Sequence, residues 1–161
     1  MEKVGIFYGS STGNTESVAQ MIQEQFGADA EVFDIADADM DQVKGYTNII
    51  FGCSTWGVGD LQDDFEEFIE NFEGADLSGK AVAVFGTGDQ ESYADSFVDA
   101  IGEIYEALEG TGCDLVGKTS TAGYEYDESR AEKDGKFVGL PIDEDNQSDE
   151  TADRVSAWVE Q

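Results

Sequence analysis

The feature that most constrains this chain is a set of short segments in which nearly every residue is apolar. They read KVGIFYG at residues 3–9, TNIIFGCS at residues 47–54 and KAVAVFGTG at residues 80–88. A strand that is apolar at consecutive positions must be covered on both faces, which is typical of the central strands of a parallel sheet. We therefore predict three central parallel strands.

Helical patterns, with apolar residues at spacings of three and four, alternate with these segments. Their apolar positions are Val18, Met21, Ile22 and Phe26; Phe65, Phe68, Ile69 and Phe72; Phe97, Ile101, Ile104, Tyr105 and Leu108; and Ala152, Val155 and Val159. Weaker strand candidates lie at residues 32–34, around Leu115 and in KFVGL at residues 136–140. The alternation predicts a doubly wound α/β fold with a five-stranded parallel sheet in the order 2-1-3-4-5.

Length and composition favour one domain over residues 1–161, since 40% of the residues are hydrophobic. Residues 119–137 are polar and turn-rich, and we interpret them as an insertion within strand five. Acidic residues number 37 against 8 basic ones, for a formal net charge of -29. This charge disfavours nucleic acid and anionic membranes as partners and favours a partner with a basic face, although solubility or life in high salt also explains it.

The residue types that are rare or absent exclude several chemistries. Histidine is missing, which removes the commonest general base and the commonest nitrogen ligand of metals. Cys53 and Cys113 are far apart and each has apolar neighbours, so we expect reduced, buried thiols rather than a disulfide. The chain shows neither a signal-peptide pattern nor an apolar run long enough to span a membrane, so we expect a cytoplasmic protein.

In open parallel sheets, ligands bind beyond the carboxyl ends of the strands, near the point where the strand order reverses. That rule nominates the loops at residues 9–15, 54–60 and 86–95. The first connects a buried strand to the start of a helix, where unpaired backbone N–H groups and the helix dipole attract an anion. It is rich in hydroxyl groups and glycine: Ser10, Ser11, Thr12, Gly13 and Thr15. Asn14 stands where a nucleotide triphosphate loop would have lysine, so we predict a single terminal phosphate.

The other two loops each carry an aromatic residue. Trp56 is followed by Gly57 and Gly59, and glycine at residue 57 allows the Gly57–Val58 peptide to adopt two orientations. The third loop holds Tyr93 and lacks the third glycine of the dinucleotide fingerprint. A phosphate loop beside two aromatic loops predicts a site for a planar ring that carries a monophosphate.

These motifs resemble those of the long-chain flavodoxins, and the resemblance covers essentially the whole chain. GSSTGNTESVA is similar to the family's phosphate loop, STWGVGDLQDDFEEF to its tryptophan loop, GTGDQESYADSF to its tyrosine loop and GKFVGLPIDEDNQSD to its extra loop. The resemblance implies a flavodoxin-like three-layer sandwich that binds FMN non-covalently between Trp56 and Tyr93. The implied FMN-binding residues are Ser10, Ser11, Thr12, Gly13, Asn14, Thr15, Thr55, Trp56, Gly57, Val58, Gly59, Thr87, Gly88, Asp89, Tyr93, Asp95, Ser96 and Asp145.

By the same resemblance, the protein is a monomeric, low-potential one-electron carrier with no catalytic residues and no metal. FMN would alternate between a neutral semiquinone and an anionic hydroquinone. The implied partners are basic-faced redox proteins: a ferredoxin/flavodoxin-NADP reductase and a photosystem or nitrogenase-type acceptor. Acidic residues in or after the aromatic loops would guide their docking. These are Asp60, Asp63, Asp64, Glu66, Glu67, Asp89, Glu91 and Asp95.

Three other functions fit the sequence less well. An FMN-dependent NAD(P)H or quinone oxidoreductase would need a second binding site, and neither a dinucleotide fingerprint nor a basic pocket is visible. A receiver-type signalling domain would need acidic residues after strand one, where Gly9 and Ser10 stand instead. The acidic stretches at residues 37–42 and 143–150 lack the glycine and the terminal glutamate of a calcium loop, so we interpret them as solvated turns.

Overall fold

The computed structural model describes residues 3–9, 14–56, 60–61, 63–72, 75–88, 97–121, 123–124, 126, 128–143 and 146–159. Of residues 14, 28, 55–56, 60–61 and 63–64 it describes the backbone alone.

The described chain alternates strands with helices around a mostly parallel sheet. Its longer strands are β1 (Val4–Gly9), β2 (Ala30–Asp34), β3 (Asn48–Trp56) and β5 (Ala81–Thr87). They lie in the order β2-β1-β3-β5 and pair in parallel, with a split fifth strand beyond β5. This confirms the predicted order 2-1-3-4-5, in which β5 is the fourth strand.

The fifth strand consists of two pieces separated by the insertion. β6 (Asp114–Leu115) pairs with the beginning of β5, and β10 (Leu140–Ile142) pairs with its end. Between them, β7 (Thr119–Ser120), β9 (Lys136–Phe137) and β8 (Glu132–Lys133) form a small antiparallel sheet. The prediction of an insertion within strand five is therefore confirmed. The prediction that residues 136–140 form one strand is wrong, because residues 136–137 pair within the insertion.

The chain leaves and rejoins the main sheet at glycines. Gly117 has a φ of 87°, and its carbonyl accepts a 2.8 Å hydrogen bond from Trp158 Nε1. Gly139 lies so close to the sheet that an added Cβ would be 2.2 Å from the carbonyl oxygen of Val84. Its own carbonyl accepts a 2.6 Å hydrogen bond from Thr119 Oγ1. Both ends of the interruption therefore have side-chain donors for backbone oxygens that strand pairing would otherwise satisfy.

Helices cover both faces of the sheet. Successive side chains of a strand point to opposite faces, so strands that are apolar at consecutive positions need cover on both sides. They are α1 (Asn14–Phe26), α2 (Met40–Lys44), α3 (Asp63–Ile69), α4 (Asp99–Leu108) and α5 (Thr151–Val159). α1 and α5 pack on the face that carries Ile50 and Phe85, whereas α2, α3 and α4 pack on the face that carries Phe51 and Val84. The carboxyl ends of β1, β3 and β5 therefore lie between two layers of helices.

Some sequence-based expectations differ from the structure. Ala152 is exposed, and the buried face of α5 is formed by Thr151, Val155 and Trp158. Cys53 is buried as expected, but Cys113 is only partly buried because the short β6 lies near the sheet edge. Neither thiol forms a disulfide.

Candidate functional site

The predicted site residues that the structure describes lie at the carboxyl edge of the sheet. β1 ends at Gly9, β3 at Trp56 and β5 at Thr87, and α1 begins at Asn14 directly above this edge. The N-terminal end of a helix presents unpaired backbone N–H groups and a partial positive charge. The 13 residues of α1 make a helix long enough for its peptide dipoles to add up. This end of α1 is therefore suited to an anion.

Buried hydroxyl groups lie beside the start of α1. Thr15 Oγ1 and Thr87 Oγ1 are 2.9 Å apart, and these residues are 0% and 6% exposed. Ser54 is opposite Thr87 in the β3–β5 pairing, so both side chains point to the face covered by α1. We call Thr15, Ser54 and Thr87 the hydroxyl cluster. It brings neutral hydrogen-bonding groups to the helix end that attracts anions.

Ser54 differs from the other members of the cluster because its hydroxyl has no partner. The residue is 8% exposed, and among the described residues its Oγ makes no hydrogen bond. A buried hydroxyl without a partner costs about 1–3 kcal/mol, so such a group commonly marks a position where a ligand or water binds. Ser54 is therefore a candidate ligand contact.

Ser54 is the first residue of the predicted second loop but is not among the predicted FMN-binding residues. The alternation along β3 could have revealed it, since Ile50 and Ser54 are separated by an even number of residues and lie on the same face of the sheet.

Glu16, in the first turn of α1, is the acidic group nearest in sequence to the predicted anion site. Its carboxylate lies near the hydroxyl of Tyr8 in β1. Burial, together with the charges of Glu16 and Asp34, raises the pKa of Tyr8. The hydroxyl of Tyr8 therefore remains protonated at neutral pH.

The start of the third loop is held against the fifth strand. Gly88 N donates a 3.0 Å hydrogen bond to the carbonyl of Ile142 in β10. An added Cβ at Gly88 would lie 3.0 Å from Val98 Cγ1 and 3.2 Å from Val98 N, so this position favours glycine. Val98 itself has a φ of 47°, a left-handed conformation that is uncommon for a β-branched residue.

The insertion packs against the chain where it returns from the third loop. The ring of Phe97 lies 5.7 Å from Tyr124, 5.6 Å from Tyr126 and 6.0 Å from Phe137, measured between ring centroids. The Ser129 hydroxyl also donates to the Phe97 carbonyl. The aromatic residues of the insertion thus support the residue that follows the loop at 89–96.

Several predicted site residues lie within the described chain. Thr15, Thr87 and Gly88 are brought together at the carboxyl edge, and Asn14 opens α1. Thr55 and Trp56 are the last residues of β3, not part of a loop, because they pair antiparallel with β4 (Asp60–Leu61). Gly86 and Thr87 likewise belong to β5. These are corrections to the predicted loop boundaries.

The remaining predicted contacts lie outside the described residues. They are Ser10, Ser11, Thr12, Gly13, Gly57, Val58, Gly59, Asp89, Tyr93, Asp95, Ser96 and Asp145. The predicted docking surface is also described only in part, since Glu66 and Glu67 are exposed on α3 while Asp89, Glu91 and Asp95 fall outside.

The acidic stretches considered as calcium loops have structural roles in the described chain. Asp39 Oδ1 accepts a 2.8 Å bond from Gln42 N at the start of α2, and Asp143 accepts bonds from the backbone and side chain of Asn146. Among the described residues, no group of three or more acidic, cysteine or histidine side chains is arranged to hold a metal ion. No helix in the same part of the chain is both long enough and apolar enough to cross a membrane.

Comparison with known proteins agrees with this architecture. The flavodoxin family profile matches residues 6–158. A flavodoxin from Picosynechococcus is 50% identical over 163 aligned residues, covering 100% of this chain and 96% of that protein. Flavodoxin 1 of Escherichia coli is 47% identical, covering 100% of this chain and 93% of that protein. The crystal structure of Fusobacterium nucleatum flavodoxin bound to flavin mononucleotide superposes with a TM-score of 0.94 at 30% identity, covering 99% of this chain and 96% of that one. With the fold, the split fifth strand and full-length similarity in agreement, the chain belongs to the flavodoxin family.

Proposed function

We propose that this protein binds FMN non-covalently at the carboxyl edge of the sheet and carries single electrons between redox proteins. Flavodoxins are electron-transfer proteins rather than enzymes. The observation that carries the proposal is the hydroxyl cluster at the start of α1 in a chain of this family.

The hydroxyl cluster fits a phosphate monoester. Thr15 and the first N–H groups of α1 would donate to the phosphate, and the unpartnered Ser54 hydroxyl would gain an acceptor. The 9–15 loop contains no lysine, so its recognition of the phosphate would rest on neutral donors. Ser10, Ser11, Thr12 and Gly13 belong to this proposal by sequence, as do the stacking residues Trp56 and Tyr93.

When bound, FMN would supply the chemistry, because its ring accepts and releases electrons one at a time. The protein would set how easily the ring takes up negative charge. One carboxylate about 10 Å away contributes roughly 0.4 kcal/mol of repulsion even at the dielectric constant of water, which is about 18 mV for one electron. A net charge of -29 therefore favours a low reduction potential. Added salt screens these charges and weakens the effect.

The same charge suits partners that present a basic surface. Glu66 and Glu67 are exposed on α3, which follows the tryptophan loop in sequence. A ferredoxin/flavodoxin-NADP reductase and a photosystem or nitrogenase-type acceptor are the partners we propose. Electron transfer to a basic protein such as cytochrome c should slow steeply as salt is added. A rate independent of ionic strength would contradict electrostatic docking.

The thiol state and the sheet pairing support two further proposals. Cys53 and Cys113 are not oxidised to a disulfide, which accords with a reducing compartment such as the cytoplasm. Residues 1–161 would form a single domain, since β6 and β10 on either side of the insertion pair with the same strand, β5.

An enzymatic role as an FMN-dependent NAD(P)H or quinone oxidoreductase is not favoured. Such an enzyme needs a second site for its organic substrate, and family membership points to electron transfer between proteins.

The decisive experiment is reconstitution followed by stepwise reduction. Apoprotein titrated with FMN should bind one equivalent and quench the flavin fluorescence. Potentiometric titration of the complex should then resolve two separate one-electron steps. Failure of the folded apoprotein to bind FMN would refute the proposal. Binding followed by steady turnover of NADPH or a quinone without a partner protein would favour the enzymatic alternative.

A further inference from the structure

The hydrogen bond between Thr15 and Thr87 joins two elements that flank the proposed phosphate site. Thr15 is the second residue of α1, and Thr87 is the last residue of β5. Their hydroxyl oxygens are 2.9 Å apart, and either one can be the donor. Both side chains are buried. The pair therefore fixes the position of one hydroxyl relative to the other.

The direction of this hydrogen bond determines what Thr15 can offer a ligand. Each hydroxyl has one proton and two lone pairs. If Thr15 donates to Thr87, its proton is used within the protein and its lone pairs are left to face an anion. If Thr87 donates to Thr15, the Thr15 proton stays available at the start of α1. An anion at that helix end favours the second direction, because each donor in the chain then strengthens the next.

We propose that Thr87 is a positioning residue for the FMN phosphate. Its hydroxyl donates to Thr15 Oγ1 and so leaves the Thr15 proton for a phosphate oxygen. This inference rests on the proposed function and refines the expectation that Thr87 contacts the cofactor. Thr87 acts through Thr15, at the carboxyl edge where β5 meets α1.

Replacing the Thr87 hydroxyl tests this role. Thr87→Val keeps the shape of the side chain and removes the donor. We expect the variant to bind FMN about fivefold more weakly, the usual size of one neutral hydrogen bond, because Thr15 loses the donor that orients its hydroxyl. Affinity for riboflavin, which has the same ring but no phosphate, should not change. Thr87→Ser keeps the hydroxyl and should bind FMN within about twofold of the wild type.

A double-mutant cycle separates action through Thr15 from direct contact. Thr15→Val should weaken FMN binding by at least as much as Thr87→Val. Adding Thr87→Val to Thr15→Val should have no further effect. An equal loss in both backgrounds would show that Thr87 acts independently of Thr15 and would overturn the proposal. So would an equal loss of riboflavin affinity. Thr87→Ala provides a second hydroxyl-free variant if the valine variant does not fold.

Thr111 offers a matched control. It is 3% exposed, and its hydroxyl donates a 2.6 Å hydrogen bond to Leu108 O, at the end of α4. Thr111→Val therefore removes a buried threonine hydroxyl away from the hydroxyl cluster and should leave FMN affinity unchanged. Failure of wild-type apoprotein to bind FMN would refute the proposed function. Normal wild-type binding with no loss in Thr87→Val would refute this inference alone.

Discussion

The unpartnered hydroxyl of Ser54 leads to a prediction in which stability and affinity change in opposite directions. In the apoprotein, the buried Oγ has no partner among the described residues, at a cost of about 1–3 kcal/mol. Ser54→Ala removes that cost and leaves a gap of about one atom. We expect the free energy of unfolding of the apoprotein to rise by about 1 kcal/mol, which corresponds to about 2–4 °C in Tm for a chain of this size.

FMN binding should respond in the opposite sense. If the Ser54 hydroxyl gains a phosphate oxygen as its acceptor, its removal costs about 1.5 kcal/mol or more, or about tenfold in affinity. Guanidinium unfolding of the apoprotein at constant m-value measures the first effect, and fluorescence titration measures the second. Thr111→Val is the contrast, because it breaks an existing bond to Leu108 O and should destabilise by about 1 kcal/mol. The reasoning fails if Ser54→Ala destabilises the apoprotein as Thr111→Val does.

Two further predictions concern the charges between α4 and the insertion. The guanidinium of Arg130, which is 48% exposed, forms ion pairs with Glu103 and Glu106 at 2.8 Å. Chemical unfolding should show that Arg130→Met lowers the free energy of unfolding by about 1 kcal/mol at low salt and by less in 1 M salt. Lys3→Met is the control, because it removes one exposed ion pair of 3.5 Å and should leave the free energy of unfolding almost unchanged. Partial burial raises the pKa of Asp99. The hydrogen bond that its carboxylate accepts from the backbone N–H of Arg130 opposes this rise. The stabilising contribution of its protonated form is fully present below the unfolded pKa and is lost as pH rises through the folded pKa. Asp99→Asn should therefore be more stable than the wild type at pH 7, with a gain that shrinks as the pH falls through the acidic range. A gain that is constant with pH would contradict this assignment.

The central strands were predicted to within two residues at each end, for a physical reason. β1, β3 and β5 are covered on both faces, so their apolar runs are continuous and distinctive. β4, β6 and the strands of the insertion are two residues long, too short to produce any periodic pattern. Their pairing partners determine them, and the partners of β6 and β7 are distant in sequence.

The glycine-rich and hydroxyl-rich segments predict a site at the carboxyl edge, because loops after parallel strands meet there. The FMN contacts stay a prediction, and the structure adds the hydroxyl cluster beside the start of α1. The Thr15–Thr87 bond was not foreseeable, since it depends on the distance between residues 72 positions apart. The alternation along β3 gives the face on which the Ser54 side chain lies, but its lack of a hydrogen-bond partner depends on tertiary packing, which the sequence does not show.

The interrupted fifth strand also bears on how such folds accept new sequence during evolution. An interruption in a central strand would leave backbone groups on both sides without partners. At the edge of the sheet, an interruption removes hydrogen bonds to one neighbouring strand instead of two. Here the side chains of Trp158 and Thr119 donate hydrogen bonds to the carbonyls of Gly117 and Gly139, where the chain leaves and rejoins the sheet. The edge strand can therefore gain a segment of independent sequence while the order of the parallel sheet, and the ligand edge it creates, stays the same.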